Sequence, residues 1–448
     1  MDGTSEDRLL TVFHEAACRA PAYRKLLAEA GIEPSQIKSI GDFSRLPVLD
    51  KHCTFERFHL AELCVDGRLG EVRWVLTSSG QSGVFSFGLY SPKGAKEYRD
   101  YIDYALDAIF QVSSRPTLLL NCLPMGVKLY SEHCTLGETS VREDMAVALV
   151  KKFGEYFEQI IFVGVDSFIK HTLELGQRQG VDWKGPLVHV IHGEELLAEN
   201  ARKCIEGILG AQTGKPQTGL VAASMGVGEL GLNLFFEVPP QRALILLRRA
   251  LHENPGLRRE ILGKDTTTAP AVFSYDPNRI YVEFAEADKL VITHLDPARP
   301  IPLVRYASDD QGQFLRLSDK VLSALSALGV PVDELEGLPI VAITGRGKSV
   351  SAGQARVFPE EVKEGVYHDP ELAGMTTGNF RLLPGPKEAT VRIQLSPEVQ
   401  PTETLGRRFA EAVALYCRGP VRVTCEPYDS FRDGMALDYE RKFDYLGR

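Results

Sequence analysis

Between residues 117 and 224, short apolar runs alternate with amphipathic segments, and this alternation limits the fold more than any other feature of the chain. The runs are TLLLNC (117–122), EQIIFVG (158–164), LVHVI (187–191) and GLVAAS (219–224), and helical spacing predicts helices at 141–153, 166–178 and 196–208 between them. A run without polar alternation is buried on both faces, and a helix returning between two such runs makes them parallel strands. The expectation is an α/β fold: a large N-terminal body with a mostly parallel sheet.

The flanks extend this plan. Residues 8–30 read as two helices split at Pro21, 39–60 as a loop-rich linker and EVRWVL (71–76) as a strand. A periodic helix follows over 93–112, with Tyr98, Ile102, Ala105 and Ile109 on one stripe. From 271 to 317 successive strands are predicted: AVFSY, IYVEF, LVITHL, PLVRYA and GQFLRL, an additional β region. A last block has a helix at 359–366, strands near 378–384 and 388–395, a helix at 402–417 and a strand at 420–426. This divides the chain into a body, 1–345, and a small α+β C-terminal lid domain, 346–448, with ITGRGKSVSAG as the hinge.

Charge excludes some functions. Lys and Arg total 51 against 60 Asp and Glu, a net charge of −9, so neither nucleic acid nor an anionic membrane is an expected partner. The start, MDGTSEDRLL, lacks the apolar core of a secretory signal, and no apolar run approaches the roughly 18 residues of a membrane span. The eight cysteines form no C-x-x-C pair, so a closed zinc site is not expected and a cytoplasmic location is. Cys122 and Cys134, with His133, make a candidate reactive group; the simpler reading is buried small hydrophobes.

Two motifs are look-alikes. GVGELG (226–231) fits a dinucleotide fingerprint, but Pro239-Pro240 stop the long helix that motif must open. GKPQT (214–218) has Pro216 where a P-loop needs Ser or Thr. The loop after the first strand is better. Thr77, Ser78, Ser79 and Ser82 supply hydroxyls, and Gly80 and Gly83, around Gln81, let backbone N–H groups turn inward on a phosphate. SMGVGELG (224–231) presents Glu229 in a small-residue turn, a candidate Mg2+ ligand beside a polyphosphate. IPLVRYASDDQG (301–312) ends a strand at Arg305 and sets Asp309-Asp310 in a predicted turn, where a carboxylate can accept both hydroxyls of a ribose. ITGRGKSV (343–350) places Arg346 and Lys348 at the domain junction.

In this order the motifs resemble the adenylate-forming acyl/aryl ligase superfamily, and most closely its phenylacetate–CoA-ligase-like branch. Ser78 to Gly83 resemble its [ST]-S-G-T-T-G loop, and His192-Gly193-Glu194-Glu195 its G-G/A-E-P adenine-side turn. Met225 to Glu229 resemble Y-G-x-T-E, Arg305 to Gly312 resemble R-Y-R-T-G-D-L-G, and Gly345 to Ser349 resemble G-R-x-D-D. VFPEEV (357–362) and the segment 20–51 are also similar, so the likeness covers nearly the whole chain. Met225 stands where the family has tyrosine, Gly228 where it has threonine, Ala307 for arginine and Asp309 for glycine. Lys348 takes a hinge position where aspartate is common.

The resemblance implies ATP-dependent activation of a carboxylic acid, followed by transfer to a thiol, most simply coenzyme A. It implies Glu229 as a catalytic and Mg2+-binding residue and Lys442 as the catalytic lysine, the single lysine in reach near the end. Thr77 to Gly83 would hold phosphates, His192, Gly193, Glu194, Met225 and Gly226 the adenine side, Asp310 the ribose and Arg346 the nucleotide, with Lys348 as hinge. Met125, Tyr130 and His133 are the candidate acid pocket, which favours a hydrophobic or aromatic acid. Alternatives are an acyl-protein synthetase that uses a cysteine or a carrier protein, and a degenerate, non-catalytic nucleotide-binding relative. A homodimer is a further implication of the branch.

Overall fold

A computed structural model describes residues 3–78, 83–124, 127–213, 215, 217–237, 242–431 and 443–447. Its strands are β1 (Trp74–Thr77), β2 (Phe87–Tyr90), β3 (Thr117–Asn121), β4 (Thr135–Glu138), β5 (Gln159–Gly164), β6 (Leu187–His192), β7 (Val221–Val227), β8 (Gly231–Phe236) and β9 (Ala271–Tyr275). They continue as β10 (Ile280–Ala285), β11 (Lys289–His294), β12 (Tyr306–Phe314), β13 (Ile340–Gly345), β14 (Val350–Ala352), β15 (Ala355–Val357), β16 (Thr376–Leu383), β17 (Ala389–Leu395) and β18 (Val421–Glu426). The helices are α1 (Gly3–Arg19), α2 (Pro21–Glu29), α3 (Leu60–Leu63), α4 (Pro92–Phe110), α5 (Glu143–Phe153), α6 (Asp166–Arg178) and α7 (Glu199–Leu209). After them come α8 (Ala243–Glu253), α9 (Pro255–Leu262), α10 (Asp319–Ala327), α11 (Pro359–Val366), α12 (Pro370–Gly374) and α13 (Glu403–Ala414). Among these described residues no helix is long and apolar enough to cross a membrane.

The fold is α/β. The parallel region expected from the alternating runs is β4-β3-β5-β6-β7, and its inner strands β3 and β5 are buried along their whole length. The additional β region does not form a separate sheet. It continues the same one, as β8-β9-β13-β12-β11-β10, to make 11 strands. β7 is the pivot, parallel to β6 and antiparallel to β8.

Two sequence expectations need correction. The sequence pattern predicts PLVRYA and GQFLRL as separate strands, but the structure has one strand, β12, from Tyr306 to Phe314. Asp309 and Asp310 therefore lie within a strand and not in a turn. They bulge against β11, where Val291 pairs with Ala307 but Lys289 pairs with Gln311. The extra residues on β12 take up the space a turn would have used.

Buried charge fixes the β7–β8 hairpin. Arg202 on α7, fully buried, donates to both oxygens of Glu237 at 2.9 and 2.6 Å and to Glu199 at 2.9 Å. Glu237 also accepts from the Ala223 backbone N–H at 2.6 Å. The C-terminal block, with β17 between β16 and β18, seats on the same helices. Glu364 of α11 accepts from the backbone N–H groups of Glu199 and Asn200 at 2.8 and 3.0 Å, which caps the start of α7. Buried Lys170 of α6 donates to the Thr376 carbonyl at 2.8 Å.

Candidate active site

The β1–β2 hairpin delivers the phosphate-loop sequence. Ser78 N–H donates to the Ser86 carbonyl at 2.9 Å, and Ser86 N–H donates back to Ser78 Oγ at 2.9 Å, so the loop is closed at its base. Thr77 is exposed, Ser78 half-buried, and Gly83 has φ of +86°. Ser79, Gly80, Gln81 and Ser82 lie outside the described residues.

This hairpin rests on the turn between β7 and β8. A Cβ on Gly228 would fall 3.3 Å from Ser78 Cα and N and from the Thr77 carbonyl oxygen. The threonine that the family pattern places here would therefore press on the β1 backbone. The glycine is what allows the close approach.

Glu229 follows in the same turn and is buried. Its Oε1 accepts from the Tyr306 hydroxyl at 2.5 Å, and its carbonyl accepts from Arg299 at 3.1 Å. Burial, and then the neighbouring Glu229 carboxylate, push the Tyr306 phenol far above its ordinary value, so it stays a proton donor. Tyr306 was not singled out from the sequence, although it is the second residue of the R-Y match. Met225 packs half-buried against the core, and Gly226 sits in the irregular stretch of β7.

A second group gathers at β12 and β13. Asp310, buried, lies 3.5 Å from Arg346 through Oδ1 and Nε. Asp309 pairs with Lys51 at 2.7 Å. Burial opposes ionisation of Asp309, but Lys51, with Lys348 and Arg346 beyond it, outweighs burial and holds its carboxyl below the usual range. Lys348 is exposed. Lys51 neutralises Asp309, which stands where the resembled pattern has glycine, and only the fold brings the two together.

The third group is the 192–195 turn. The register pairs Gly164 of β5 with His192 of β6, so Asp166, opening α6, arrives beside His192. The two side chains are fully buried with His192 Nε2 3.9 Å from Asp166 Oδ1, and among the described residues neither imidazole nitrogen has a hydrogen-bond partner. Glu194 takes φ of +73°. Lys363 of α11 reaches in, 2.8 Å from Glu195 and 3.3 Å from Asp166, under the Tyr445 ring at 4.9 Å. Burial opposes charge on Asp166, but Lys363 and His192 hold its carboxyl well below the carboxylate range. Asp166 and Lys363 were not visible as site residues, because their meeting depends on strand register and on the seating of α11.

Near the junction, burial pushes the Glu360 carboxyl up to about 7; Glu195 and Glu361 add to this and Lys363 opposes it. It faces Gly345, where φ is +124° and a Cβ would fall 2.8 Å from Glu360 Oε1. In the expected acid pocket, Tyr130 meets Trp74 edge-on at 5.4 Å, and Trp74 meets Tyr90 and Tyr98 at 5.3 Å each. His133 is exposed, and Met125 lies outside the described residues. So does Lys442. The described residues on either side of its segment, Phe431 and Phe443, stack at 6.4 Å. No group of three or more His, Cys, Asp or Glu suited to a metal occurs among the described residues.

No protein-family model matches the chain, and neither does any curated protein. Solved structures do. A 2-hydroxyisobutyryl-CoA ligase in the postadenylation state, in complex with R3-HIB-AMP, is 17% identical, with a TM-score of 0.66 over 98% of this chain and 88% of that one. This is the adenylate-forming ligase fold. The same ligase in an open conformation, in complex with 2-HIB-AMP and CoA, has this fold at 16% identity, with a TM-score of 0.52 over 99% and 90% of the two chains. An anthranilate CoA ligase in complex with anthranoyl-AMP shares the fold at 12% identity, with a TM-score of 0.50 over 79% of this chain and 63% of that one.

Proposed function

We propose that the chain uses ATP to activate a hydrophobic or aromatic carboxylic acid as an acyl-adenylate and then passes the acyl group to a thiol, coenzyme A. The observation that carries the reading is the composition of β12. It bears Tyr306, which holds Glu229, and four residues on Asp310, which meets Arg346, about 13 Å along one strand. A metal-side carboxylate and a ribose acceptor are thus fixed to one rigid element. The structures with this fold that contain an acyl-AMP or CoA support the same assignment.

In the first step an oxygen of the substrate carboxylate bonds to the α-phosphorus, the bond to the bridging oxygen breaks, and pyrophosphate leaves. The backbone N–H groups of the 77–83 loop would hold the departing phosphates, with Lys442 supplying positive charge at the reacting centre. Asp310 would accept from the ribose hydroxyls, Arg346 would sit against the nucleotide, and the 192–194 turn with Met225 and Gly226 would flank the adenine. Mg2+, when bound with ATP, supplies charge neutralisation at the phosphates. A single buried carboxylate, Glu229, suits an ion held otherwise by water and phosphate oxygens. In the second step the thiol sulfur bonds to the acyl carbon and AMP leaves. Residues 346–448 would act as a lid, turning about Lys348 between the two steps.

The cluster of Trp74, Tyr90, Tyr98 and Tyr130 supports an aryl or hydrophobic acid. Transfer to an internal cysteine is less well supported. Burial pushes the thiols of Cys122 up to about 12 and of Cys204 and Cys425 up to about 11, away from the reactive thiolate. The degenerate reading loses one of its grounds, since packing accounts for Gly228. Lys442→Ala is expected to abolish acid-dependent pyrophosphate release while ATP binding persists. Unchanged release would remove Lys442 from the mechanism.

A further inference from the structure

The 192–195 turn is held at its ends by the body and in its middle by the C-terminal block. At one end the Gly193 N–H donates to the Gly164 carbonyl at 3.2 Å, and just past the other the buried Arg248 guanidinium donates to the Leu197 carbonyl. Between them Glu194 takes φ of +73°, a region that few residues other than glycine enter. Such a backbone persists only where its surroundings hold it. The next side chain, Glu195, is paired with Lys363 of α11 at 2.8 Å, and the same ammonium lies 3.3 Å from fully buried Asp166. Burial opposes charge on Lys363, but Asp166 and Glu195 outweigh it and hold the ammonium well above its ordinary value.

Lys363 is itself held by residues 444–447, which lie along β16 as a short strap. The Leu382 N–H donates to the Tyr445 carbonyl at 2.7 Å, and the Gly447 N–H donates to the Leu382 carbonyl at 2.8 Å. Arg381 lies 3.5 Å from Asp444, and a Cβ on Gly447 would overlap Leu383, so the strap fits closely on its strand. It carries buried Tyr445 to α11, where the ring meets Phe380 at 4.6 Å and lies 4.9 Å from Lys363 Nζ. A cation over an aromatic face is attracted to it, so the ring keeps the ammonium aimed at Glu195 and Asp166. Tyr445, Lys363 and Glu195 thus form one chain of contacts from the strap to the adenine-side turn.

We propose that Lys363 and Tyr445 are positioning residues for nucleotide binding: through Glu195, the C-terminal block holds the 192–195 turn in the shape that accepts the adenine. This rests on the reading of residues 192–194 as the adenine side. A turn ordered in advance binds more tightly than one that the ligand must order. By reciprocity, bound AMP then holds the block and its strap in place. A lysine that only stabilised the fold would change thermal stability and leave the AMP affinity of the folded protein as it was.

Titration calorimetry of the full chain with AMP, in proteins with native circular dichroism, tests the coupling. Lys363→Met and Glu195→Ala should each weaken AMP about fivefold or more. The double variant should lose no more than the larger single effect, because both changes break one contact. Tyr445→Leu, which removes the aromatic face and keeps an apolar side chain, should weaken AMP about threefold. Glu195→Ala and Tyr445→Leu carry the test if Lys363→Met does not fold. Hydrogen exchange at the Leu382 and Gly447 amides should slow when AMP binds the parent chain and stay unchanged in Lys363→Met. A parent chain that binds AMP with an affinity indifferent to these changes, additive losses in the double variant, or exchange unaffected by AMP would each overturn the coupling alone. A folded parent chain that binds neither AMP nor Mg·ATP would overturn the nucleotide reading and the coupling with it.

Discussion

Replacing Tyr306 with phenylalanine removes one oxygen and tests how Glu229 is held. Among the described residues, Tyr306 is the sole hydrogen-bond donor to the Glu229 carboxylate, at 2.5 Å, and both residues are buried. Water has little access to replace the lost donor. The ring stays, so its edge-on contact with Phe55 at 6.5 Å is kept and no cavity larger than a hydroxyl is made. A hydrogen bond to a charged group contributes about 1.5–3 kcal/mol, which at about 1.4 kcal/mol per decade corresponds to roughly 10- to 100-fold in a binding or rate constant. That loss should fall on ligands whose phosphates reach Glu229. Calorimetry should show Mg·ATP weakened by that factor while AMP, which the proposal places at Asp310 and Arg346, changes by less than about threefold. Acid-dependent pyrophosphate release should fall with Mg·ATP binding. Equal weakening of both ligands, or of neither, in a protein with native circular dichroism would refute the role given to Tyr306 and Glu229.

Two further changes probe the junction. The Glu360 carboxyl is raised above its unfolded value, so it favours the folded state at low pH, and that contribution declines as pH rises from about 4.5 through about 7. Fully unscreened, the shift would correspond to about 3 kcal/mol; the side chain is half-buried, so on the order of 1 kcal/mol is expected. Glu360→Gln should flatten the fall in thermal stability across that window; an unchanged slope would contradict the assignment. Lys363→Met leaves Asp166 buried without its cation, which typically costs about 3–5 kcal/mol. Limited proteolysis should then cut within 346–350 faster than in the parent chain, and equal rates would show that Lys363 does not secure the C-terminal block.

The parallel core was legible because its signal is local. Runs such as IIFVG (160–164) and LVHVI, with His189 its one polar residue, are apolar nearly throughout without alternation, as a strand buried on both faces requires. The hinge-flanking helix at 359–366 was equally plain, opening on Pro359 and ending as expected. Asp309-Asp310 misled because adjacent aspartates favour turns. Lys51 and Arg346, far away in sequence, neutralise them and let β12 run on. Helices α8 and α10 lie between the recognisable motifs and carry none of their own, and β4 is only four residues long at the sheet edge. Of the candidate site, the motifs mark Glu229, Asp310, Arg346 and the 192–195 turn, but not Tyr306, which holds Glu229, nor Asp166 and Lys363, which meet beside that turn. The Tyr306–Glu229 and Lys363–Asp166 pairings join positions 77 and 197 residues apart, separations no local pattern encodes.

The most direct test of adenylation is exchange of labelled pyrophosphate into ATP, run with a panel of aryl and hydrophobic acids and with Asp310→Ala as the control. The account predicts exchange that requires an acid and disappears in Asp310→Ala together with AMP binding. Folded parent protein that neither exchanges pyrophosphate with any acid nor binds Mg·ATP or AMP would contradict it.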